Sequence, residues 1–584
     1  MAMHVLACGM SRSGTTLLTT ILDSHPSISM GYELLPVDLP PIAETIKLLD
    51  AAIEESQGDS DACGDSLRAR DFKPLGTFVK RCARTLTTVQ ELRDICRAFV
   101  SEGCDSFDGL EMRTRLSLAV VQNKMRKEGT AACGFKINSP SVSAFDSVIP
   151  DGRFIYILRD PRDVVASHFA HDFNRTLKHI CKAWVNYVEK FDAFAQANPD
   201  RAHLVRYEDL VARPEKTLKE ALGQIGVPFV PEILRFFDSK ASVHRGGHVN
   251  SDNLRKNFYS SSIARWQRDL SVDQIREIQR DCGALMDRYG YVAAPTAKPV
   301  KMPRALRQQM SEKLAGKKKF GRALYAEMLE PFLSDHVNLT WHEAAAGEKA
   351  RGQNVLILRH DVDHDIDTAL QMAKWEHQRK LRATYCILHS AWYYGEVKKR
   401  GLERYQYVLD VCMEIQSLGH EINLHNNVAA IALRTGQNPV ELLQQEIMFL
   451  RIHGINITGT STHGDRLCRE LDFRNFELFS ECVYENRGGP RTVRHEGHSV
   501  ELGTVSMRDL GLAYEAYDIP RDVYVTDSGG RPRTILGTCG RAGKRRAEME
   551  NEPPYPMIVG ILTHPIWWDF QRDVIAEQQV ADYA

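Results

Sequence analysis

Short apolar strands alternate with longer amphipathic segments along this chain, first over residues 3–295 and again from about residue 350. In the first series, His4–Cys8, Phe154–Leu158 and His203–Arg206 have the pattern of buried strands, and a turn and a helical segment follow each. This alternation predicts an α/β domain built on a parallel sheet. Because 584 residues exceed what one hydrophobic core usually organises, we expect two such domains.

A change of composition separates the two series. Arg304–Arg322 contains seven basic residues with Glu312 as its single acid, and three prolines precede it. We therefore predict a basic linker with connecting helices over 296–349, between a domain at 1–295 and a second α/β domain at 350–584. The other predicted elements are strands at Asn354–Leu358, Ala383–Leu388, Glu421–Leu424 and Met557–Leu562, and helices at Val272–Arg288, Asp367–Arg379 and Tyr405–Leu418.

Composition argues against several classes of protein. The net charge is -1, so the overall charge gives no reason to bind nucleic acid. The 13 cysteines include no CxxC pair, which predicts reduced core thiols rather than a disulfide framework. No apolar run approaches the length of a membrane-spanning helix, and the first residues do not have the pattern of a signal peptide. We therefore expect a cytoplasmic protein without a transmembrane segment.

A glycine-containing loop follows the first strand. The run Gly9-Met-Ser-Arg-Ser-Gly14 leads into Thr15, Thr16 and a helix. Glycines let backbone N–H groups converge, and a helix N-terminus adds partial positive charge, so the segment suits a phosphate group. The spacing is that of a P-loop, but Thr15 stands where nucleotide triphosphatases carry lysine. That difference disfavours a hydrolase of ATP or GTP and a nucleotide kinase.

A second phosphate-binding pattern follows the strand Phe154–Leu158. Arg159 comes at the strand end, Pro161 suits the first position of a helix, and Ser167 lies two turns further on. An arginine fork and a hydroxyl that approach from adjacent sides can hold a second phosphate.

Together, Ser11–Thr16 and Arg159–Arg162 with Ser167 resemble the sulfotransferases that use 3′-phosphoadenosine 5′-phosphosulfate (PAPS) as sulfuryl donor. Further segments that agree with the family are Val205–Leu210, Arg265–Trp266 and Tyr289–Tyr291. The resemblance implies a P-loop-type parallel sheet in which the first loop holds the 5′-phosphosulfate, and the later arginine and serine hold the 3′-phosphate. The residues it assigns to PAPS are Arg12, Ser13, Gly14, Thr15, Thr16, Arg159 and Ser167.

The same resemblance implies catalytic residues. Asp23–Glu33 is similar to the tyrosylprotein and carbohydrate members, in which a glutamate after a His-Pro turn is the general base, so Glu33 is the predicted base. Lys136 resembles the family lysine that reaches toward the leaving group, and Arg12 would assist it on the sulfuryl oxygens. The expected acceptor is a hydroxyl or amine of a glycan, glycolipid or similar small molecule.

Four clusters of acidic and histidine residues mark the second domain, and each lies at or near a predicted strand end. They are Arg359–Asp365, Gly419–His425, Ser461–Gly464 and Leu562–Pro565. Carboxylates and imidazoles crowded at strand ends repel their like unless they share a cation or a proton. A period of two also places Asp361 and Asp363 on the same side of an extended backbone.

This set resembles the polysaccharide deacetylases of the carbohydrate-esterase type, which hydrolyse N-acetyl groups on sugars. The resemblance implies a distorted (β/α) barrel with one divalent metal ion, expected to be zinc. It assigns Asp363 and His425 as metal ligands. It also assigns Asp361 as the base and His564 as the acid of a reaction in which the metal polarises the amide carbonyl.

One departure from that family leaves two hypotheses open. The second metal histidine of the family follows the first by four residues, but Ala429 stands there, so His463 is the predicted third ligand and a degenerate site is the alternative. Under the first hypothesis the chain is bifunctional, and the amine freed by deacetylation could accept the sulfuryl group. Under the second, the C-terminal domain is a non-catalytic glycan-binding or scaffold module. Metal content distinguishes the two.

Overall fold

The structure is a computed structural model, and it describes residues 2–171, 175–245, 254–258, 262–347, 353–398, 401–482, 489–519, 521–539 and 557–570. The chain forms two compact units. The first comprises Met1–Leu270 and Gln274–Tyr291, and the second comprises Ser271–Asp273 and Val292–Ala584.

Five parallel strands form the sheet of the first unit. They are β1 Met3–Cys8, β2 Ile28–Gly31, β3 Ala132–Ile137, β4 Arg153–Leu158 and β5 Ala202–Arg206. Their order is β2-β3-β1-β4-β5, and every neighbouring pair is parallel. The parallel α/β prediction and its three predicted strands are confirmed, whereas β2 and β3 lie where the sequence predicted no strand.

Helices connect these strands. They are α1 Thr15–Asp23, α2 Ile42–Glu55, α3 Ser60–Ala69, α4 Lys73–Arg84, α5 Val89–Ser101, α6 Gly109–Glu128, α7 Val142–Asp146, α8 Pro161–Phe169, α9 Leu177–Ala197, α10 Tyr207–Ala212 and α11 Pro214–Gln224, followed by Trp266–Asp269 and Val272–Arg288. The five helices α2 to α6 form one insertion between β2 and β3. The predicted helix Val272–Arg288 has the bounds that the sequence indicated.

The central strand β1 and its neighbour β3 approach each other closely. Gly134 of β3 lies opposite Val5 of β1. A Cβ atom at Gly134 would lie 1.5 Å from the carbonyl oxygen of Val5, so a residue with a side chain could not keep this spacing. The close pairing places Lys136, two residues further along β3, beside the strand that leads into the glycine-containing loop.

A buried ion pair ties α1 to α6 and β2. Lys124 Nζ contacts the Asp23 carboxylate, and it donates to the Met30 carbonyl at 3.0 Å and to Ser242 Oγ at 2.7 Å. Asp23 also accepts from the backbone N–H groups of Met30 at 2.7 Å and Ser242 at 2.6 Å. Burial lowers the pKa of Lys124, although Asp23 opposes the shift. Because both charges are hydrogen-bonded, the pair fixes the end of β2 at Met30, and with it the segment that carries Glu33.

Fifteen described strands belong to the second unit. They are β6 Phe320–Gly321, β7 His336–Leu339, β8 Asn354–Val362, β9 Ala383–Leu388, β10 Gly395–Lys398, β11 Gly401–Arg404, β12 Glu421–Asn426, β13 Gly459–Thr462, β14 Arg491–His495, β15 His498–Leu502, β16 Tyr514–Glu515, β17 Arg521–Thr526, β18 Arg533–Cys539, β19 Ile558–Thr563 and β20 Trp568–Asp569. Nine form the main sheet in the order β16-β13-β12-β9-β8-β19-β17-β18, with β7 also paired to β8.

The main sheet is open. No pairing within the described part of the chain joins its outer strands β16 and β18. The strand β18 runs antiparallel to β17 and ends the otherwise parallel series. The described strands form a curled half-barrel, so the finer expectation of a distorted barrel stays a prediction. The predicted strands Asn354–Leu358, Ala383–Leu388 and Glu421–Leu424 lie within β8, β9 and β12, and Met557–Leu562 overlaps β19.

The helices of the second unit alternate with its strands. They are Arg304–Ala315, Arg322–Leu329, Trp341–Ala346, Ile366–Gln378, Gln406–Ser417, Val428–Thr435, Pro439–Ile452 and Arg466–Glu470. The segment 296–349, predicted as a linker, contributes β7 to the main sheet and β6 to a short pair with β20. Among the described residues, no helix combines the length and apolar character needed to cross a bilayer. The described cysteines are free thiols, and most of them are buried.

Candidate functional site

The loop between β1 and α1 is held in a strained backbone shape. Gly14 has φ of 99°, and a Cβ atom there would lie 2.6 Å from the Tyr207 ring. Arg12 also has a positive φ, of 72°. The N–H of Ser13 donates to the Met10 carbonyl at 3.2 Å, which closes the turn. The loop therefore ends directly at the N-terminus of α1, where partial positive charge and backbone N–H groups favour an anion.

The segment after β4 meets this loop. Pro161 lies in the first turn of α8 as predicted, and the Asp160 side chain caps that helix by accepting from the Arg162 N–H at 2.9 Å. Arg159 is 5 % exposed, donates to the Arg12 carbonyl at 2.9 Å and lies 4.6 Å from the Tyr207 ring centroid. Stacking and this hydrogen bond fix the guanidinium before any ligand arrives.

The two segments line one cleft. Six of the seven residues predicted to hold PAPS are among its walls: Arg12, Gly14, Thr15, Thr16, Arg159 and Ser167. The seventh, Ser13, is buried and is not among them. Arg12 Nε donates to Ser167 Oγ at 3.0 Å, so the loop and α8 meet through side chains that sequence separates by 155 positions.

Aromatic residues complete the cleft, and sequence reasoning missed them. Tyr207, Phe236 and Phe258 line it, and the last two rings pack edge to face with centroids 5.0 Å apart. They come from beyond β5. Tyr207 lies in a segment that agrees with the family but was given no ligand role, and Phe236 and Phe258 lie outside every motif. Their flat apolar surfaces suit a planar heterocycle next to the phosphate-binding residues.

Glu33 and Lys136 lie together next to this cleft. Lys136 is 5 % exposed, and its Nζ donates to Thr16 Oγ1 at 3.2 Å and lies 3.4 Å from Glu33 Oε1. Burial lowers the pKa of Lys136, while Glu33 acts to raise it. Glu33 has φ of 57°, and Arg81 Nη2 lies 3.3 Å from its other carboxylate oxygen. The predicted base and lysine thus adjoin the donor loop through Thr16.

In the second unit, Asp363, His425 and His463 converge at the carboxyl ends of β8, β12 and β13. Their potential ligand atoms all lie within 4.8 Å of one another. Asp363 Oδ1 lies 3.2 Å from both His425 Nε2 and His463 Nδ1. Within the described residues, this buried oxygen makes no well-formed hydrogen bond. Three such donor atoms facing one point are the ligand types that zinc prefers.

The ring of His425 is held in one orientation. Its Nδ1 lies 3.0 Å from the Ser461 carbonyl, so Nδ1 carries a proton and Nε2 is the ring atom that faces Asp363. Burial raises the pKa of Asp363, but the two imidazoles outweigh that effect and hold its pKa well below the usual range. The residues present therefore fit a divalent metal ion.

Asp361 and His564 flank this cluster, and each has a buried partner that sequence reasoning missed. Arg359 Nη2 donates to Asp361 Oδ2 at 3.0 Å and lies 4.6 Å from the Tyr517 ring centroid. Burial raises the pKa of Asp361, but Arg359 and His425 outweigh it and lower the pKa. Arg359 lies two residues before Asp361 on β8, and side chains two apart on a strand point to the same face. This spacing could have predicted that Arg359 pairs with Asp361.

The His564 imidazole is paired with a carboxylate. Its Nδ1 lies 2.6 Å from Asp527 Oδ1, and Asp527 also accepts from Trp568 Nε1 at 2.6 Å. Burial lowers the pKa of His564, but Asp527 outweighs that effect and raises it to about 9. Asp527 directly follows β17, and a strand-end aspartate was the only signal that could have found it.

Comparisons with known proteins address the first unit. A sequence model described as "Sulfotransferase family" matches residues 5–231. Mouse carbohydrate sulfotransferase 4 is 28% identical over 328 residues, which cover 50% of this chain and 82% of that protein. Human carbohydrate sulfotransferase 1 is 23% identical over 219 residues, which cover 32% of this chain and 51% of that protein, so the chain spans about half of its length.

The first unit is also similar to sulfotransferases of known structure. The sulfotransferase domain of the Synechococcus PCC 7002 olefin synthase is 18% identical with a TM-score of 0.32, and the match covers 48% of this chain and 93% of that one. Mouse sulfotransferase SULT7A1 complexed with PAP is 10% identical with a TM-score of 0.27, over 49% of this chain and 85% of that one. On the sequence match, residues 5–231 are similar to the sulfotransferase family.

Proposed function

We propose that the first unit transfers a sulfuryl group from PAPS to a hydroxyl or amine of a carbohydrate acceptor. The observation that carries the proposal is the single cleft shared by Arg12, Arg159 and Ser167, which come from two motifs far apart in sequence. The carbohydrate sulfotransferases among the relatives support a glycan, glycolipid or similar acceptor. A cytoplasmic location stays a prediction.

In this proposal, different residues of the cleft bind different groups of the PAPS molecule. The loop from Arg12 to Thr16 binds the 5′-phosphosulfate at the N-terminus of α1. Arg159 and Ser167 bind the 3′-phosphate, and the stacked position of Arg159 on Tyr207 reduces the entropy lost on binding. The aromatic walls accept the adenine ring.

Glu33 and Lys136 then act on the reacting atoms. Glu33 accepts the proton of the acceptor hydroxyl or amine as the new bond to sulfur forms. The bond between sulfur and the bridging phosphate oxygen breaks, and adenosine 3′,5′-bisphosphate leaves with that electron pair. Lys136 stabilises the negative charge that develops on the leaving oxygen, and Arg12 assists it on the sulfuryl oxygens. Lys136 is already placed between Glu33 and Thr16.

For the second unit we propose a metal-dependent N-deacetylase site. Asp363, His425 and His463 would hold one divalent ion, expected to be zinc, which polarises an amide carbonyl when bound. Asp361 is the proposed base. His564, oriented by Asp527, is the proposed acid for the departing amine. The support is the convergence of the three ligand atoms and the fixed ring of His425. A non-catalytic glycan-binding module remains the alternative.

The assignment of Arg159 to the 3′-phosphate predicts a selective loss of affinity for ligands that carry this group. Arg159→Ala should weaken adenosine 3′,5′-bisphosphate at least about tenfold more than adenosine 5′-phosphosulfate, because only the first ligand has a 3′-phosphate. Isothermal titration calorimetry with both ligands measures this. Arg213→Ala, an exposed arginine paired with Asp209, is the control and should change neither affinity. Equal losses for both ligands in Arg159→Ala would refute the assignment.

The role of Glu33 predicts a separation of catalysis from binding. Glu33→Gln should lower sulfate transfer by about 10²- to 10⁴-fold and leave the affinity for adenosine 3′,5′-bisphosphate within about twofold, since only the proton acceptor is lost. Transfer of labelled sulfate and calorimetry on the same preparation measure the two quantities. Turnover equal to that of the unaltered chain would exclude Glu33 as the base.

The metal assignment predicts a difference between neighbouring aspartates. Asp363→Ala should abolish stoichiometric zinc in the reconstituted protein, because it removes one of three ligands. Asp361→Asn should retain zinc and lose deacetylation of N-acetylated oligosaccharides. Elemental analysis by plasma mass spectrometry gives the zinc content. An unaltered chain that takes up no divalent metal would support the non-catalytic alternative.

A further inference from the structure

A lysine from the segment predicted as a linker reaches the candidate site of the second unit. Lys318 precedes β6, and its side chain is 17% exposed. Its Nζ contacts the Asp365 carboxylate, and it donates to Thr368 Oγ1 at 2.8 Å and to the Pro565 carbonyl at 3.1 Å. An ammonium group has three N–H donors, and here each of them has an acceptor. One cation therefore joins the turn that follows β8 to the turn that follows β19.

The two joined turns carry proposed reacting groups. Asp365 lies two residues after Asp363 of the metal cluster, and Pro565 directly follows His564. Among the described residues, the last backbone pair between β8 and β19 lies three residues before Asp363 and one residue before His564. The Lys318 bridge lies beyond that pair. It therefore holds the two turns where backbone hydrogen bonds between these strands have already ended.

Asp365 connects the bridge to the backbone of its own turn. Its Oδ1 accepts from the Thr368 N–H at 3.0 Å, and its Oδ2 accepts from Thr368 Oγ1 at 2.9 Å, so it caps the helix Ile366–Gln378. The Asp365 side chain is buried. Because this carboxylate is held on both oxygens, Lys318 acts on the position of the whole turn and not on one side chain alone.

The next residue attaches the same segment to the partner of His564. The Lys319 N–H donates to the Trp567 carbonyl at 2.7 Å, and its Nζ donates to the Gly530 carbonyl at 3.3 Å. Gly530 in turn donates its N–H to the Asp527 carbonyl at 2.8 Å. A Cβ atom at Gly530, where φ is 67°, would lie 2.7 Å from Lys319 Nζ, so the contact is close. The predicted linker therefore contacts the turns after β8, β17 and β19.

We infer that Lys318 is a positioning residue of the second site, and that it sets the separation between Asp363 and His564. The inference rests on the proposed N-deacetylase function and adds to it a residue from outside the four strand-end clusters. Lys318 acts through Asp365 and the Pro565 carbonyl, which adjoin the proposed reacting groups in the chain. Because a displacement of about 1 Å can lower a rate about 10²-fold, loss of the bridge should lower turnover.

Two substitutions at this position separate the charge from the length of the side chain, in the full zinc-loaded chain with N-acetylated oligosaccharides. Lys318→Met removes the charge and should lower kcat at least about tenfold, with KM within about threefold. Lys318→Arg keeps a cation with several donors and should keep kcat within about threefold of the unaltered chain. The zinc content should be the same in both, because the three proposed ligands remain. A loss in Lys318→Arg as large as that in Lys318→Met would overturn the inference.

The control is the neighbouring lysine, which is exposed. Lys317→Met removes one positive charge from the same segment and should change neither kcat nor KM. An equal loss in Lys317→Met and Lys318→Met would overturn the inference, because it would assign the effect to the charge of the segment. An unchanged kcat in Lys318→Met would overturn it as well.

Hydrogen exchange of the metal-free chain gives a readout that does not depend on activity. In Lys318→Met, the backbone amides of 564–568 should exchange at least about tenfold faster, because the turn after β19 opens more often. The amides of β9, which pairs with β8 on the side away from β19, should keep their rates. So should those of 564–568 in Lys317→Met. An equal acceleration in β9 would indicate a general loss of structure and would overturn the positioning role.

The two measurements separate this inference from the proposed function. Faster exchange confined to 564–568, in a chain whose unaltered form deacetylates no oligosaccharide, would contradict the proposed activity and retain the bridge between the two turns. An active unaltered chain, with neither kcat nor exchange changed in Lys318→Met, would overturn the inference and leave the N-deacetylase function in place.

Discussion

Both candidate sites depend on parallel strands, because the carboxyl ends of parallel strands lie together at one edge of a sheet. In the first unit, the glycine-containing loop follows β1, Lys136 lies near the end of β3 and Arg159 follows β4. In the second unit the acidic and histidine residues follow strands in the same way. Neighbouring strands are about 5 Å apart. Residues at the ends of adjacent strands therefore contact each other even when more than about 100 positions separate them in the sequence. The glycine at 134 and the buried pair of Lys124 with Asp23 keep that geometry in the first unit.

Charge at these edges is compensated within the fold. Lys136 is paired with Glu33, Asp361 with Arg359, and His564 with Asp527. Glu33 and Lys136 are both proposed to act on the reacting atoms, whereas Arg359 and Asp527 orient the proposed base Asp361 and the proposed acid His564. Buried charges are stable only when such partners are present, so the partner is as much part of the site as the reacting group. Asp363 differs, because its buried Oδ1 faces two imidazoles without a well-formed hydrogen bond.

The sequence predicted what depends on local patterns. The loop from Gly9 to Gly14, the strand before Arg159 and the strand-end clusters of the second domain follow from spacing and alternation, and the structure has them there. The roles of Tyr207, Asp527 and Arg81 could not be predicted, because they depend on tertiary contacts with residues far away in the chain. The half-barrel shape of the second sheet could not be predicted either. Local patterns identify strands, but they do not decide whether the outer strands of a sheet pair with each other.

The most direct measurement for the central claim is a crystal structure of the full chain with adenosine 3′,5′-bisphosphate. The account predicts the 3′-phosphate within about 3 Å of the Arg159 guanidinium and the Ser167 hydroxyl, with the 5′-phosphate against the loop from Arg12 to Thr16. A nucleotide bound in the reverse direction, or outside the cleft that these residues line, would contradict it.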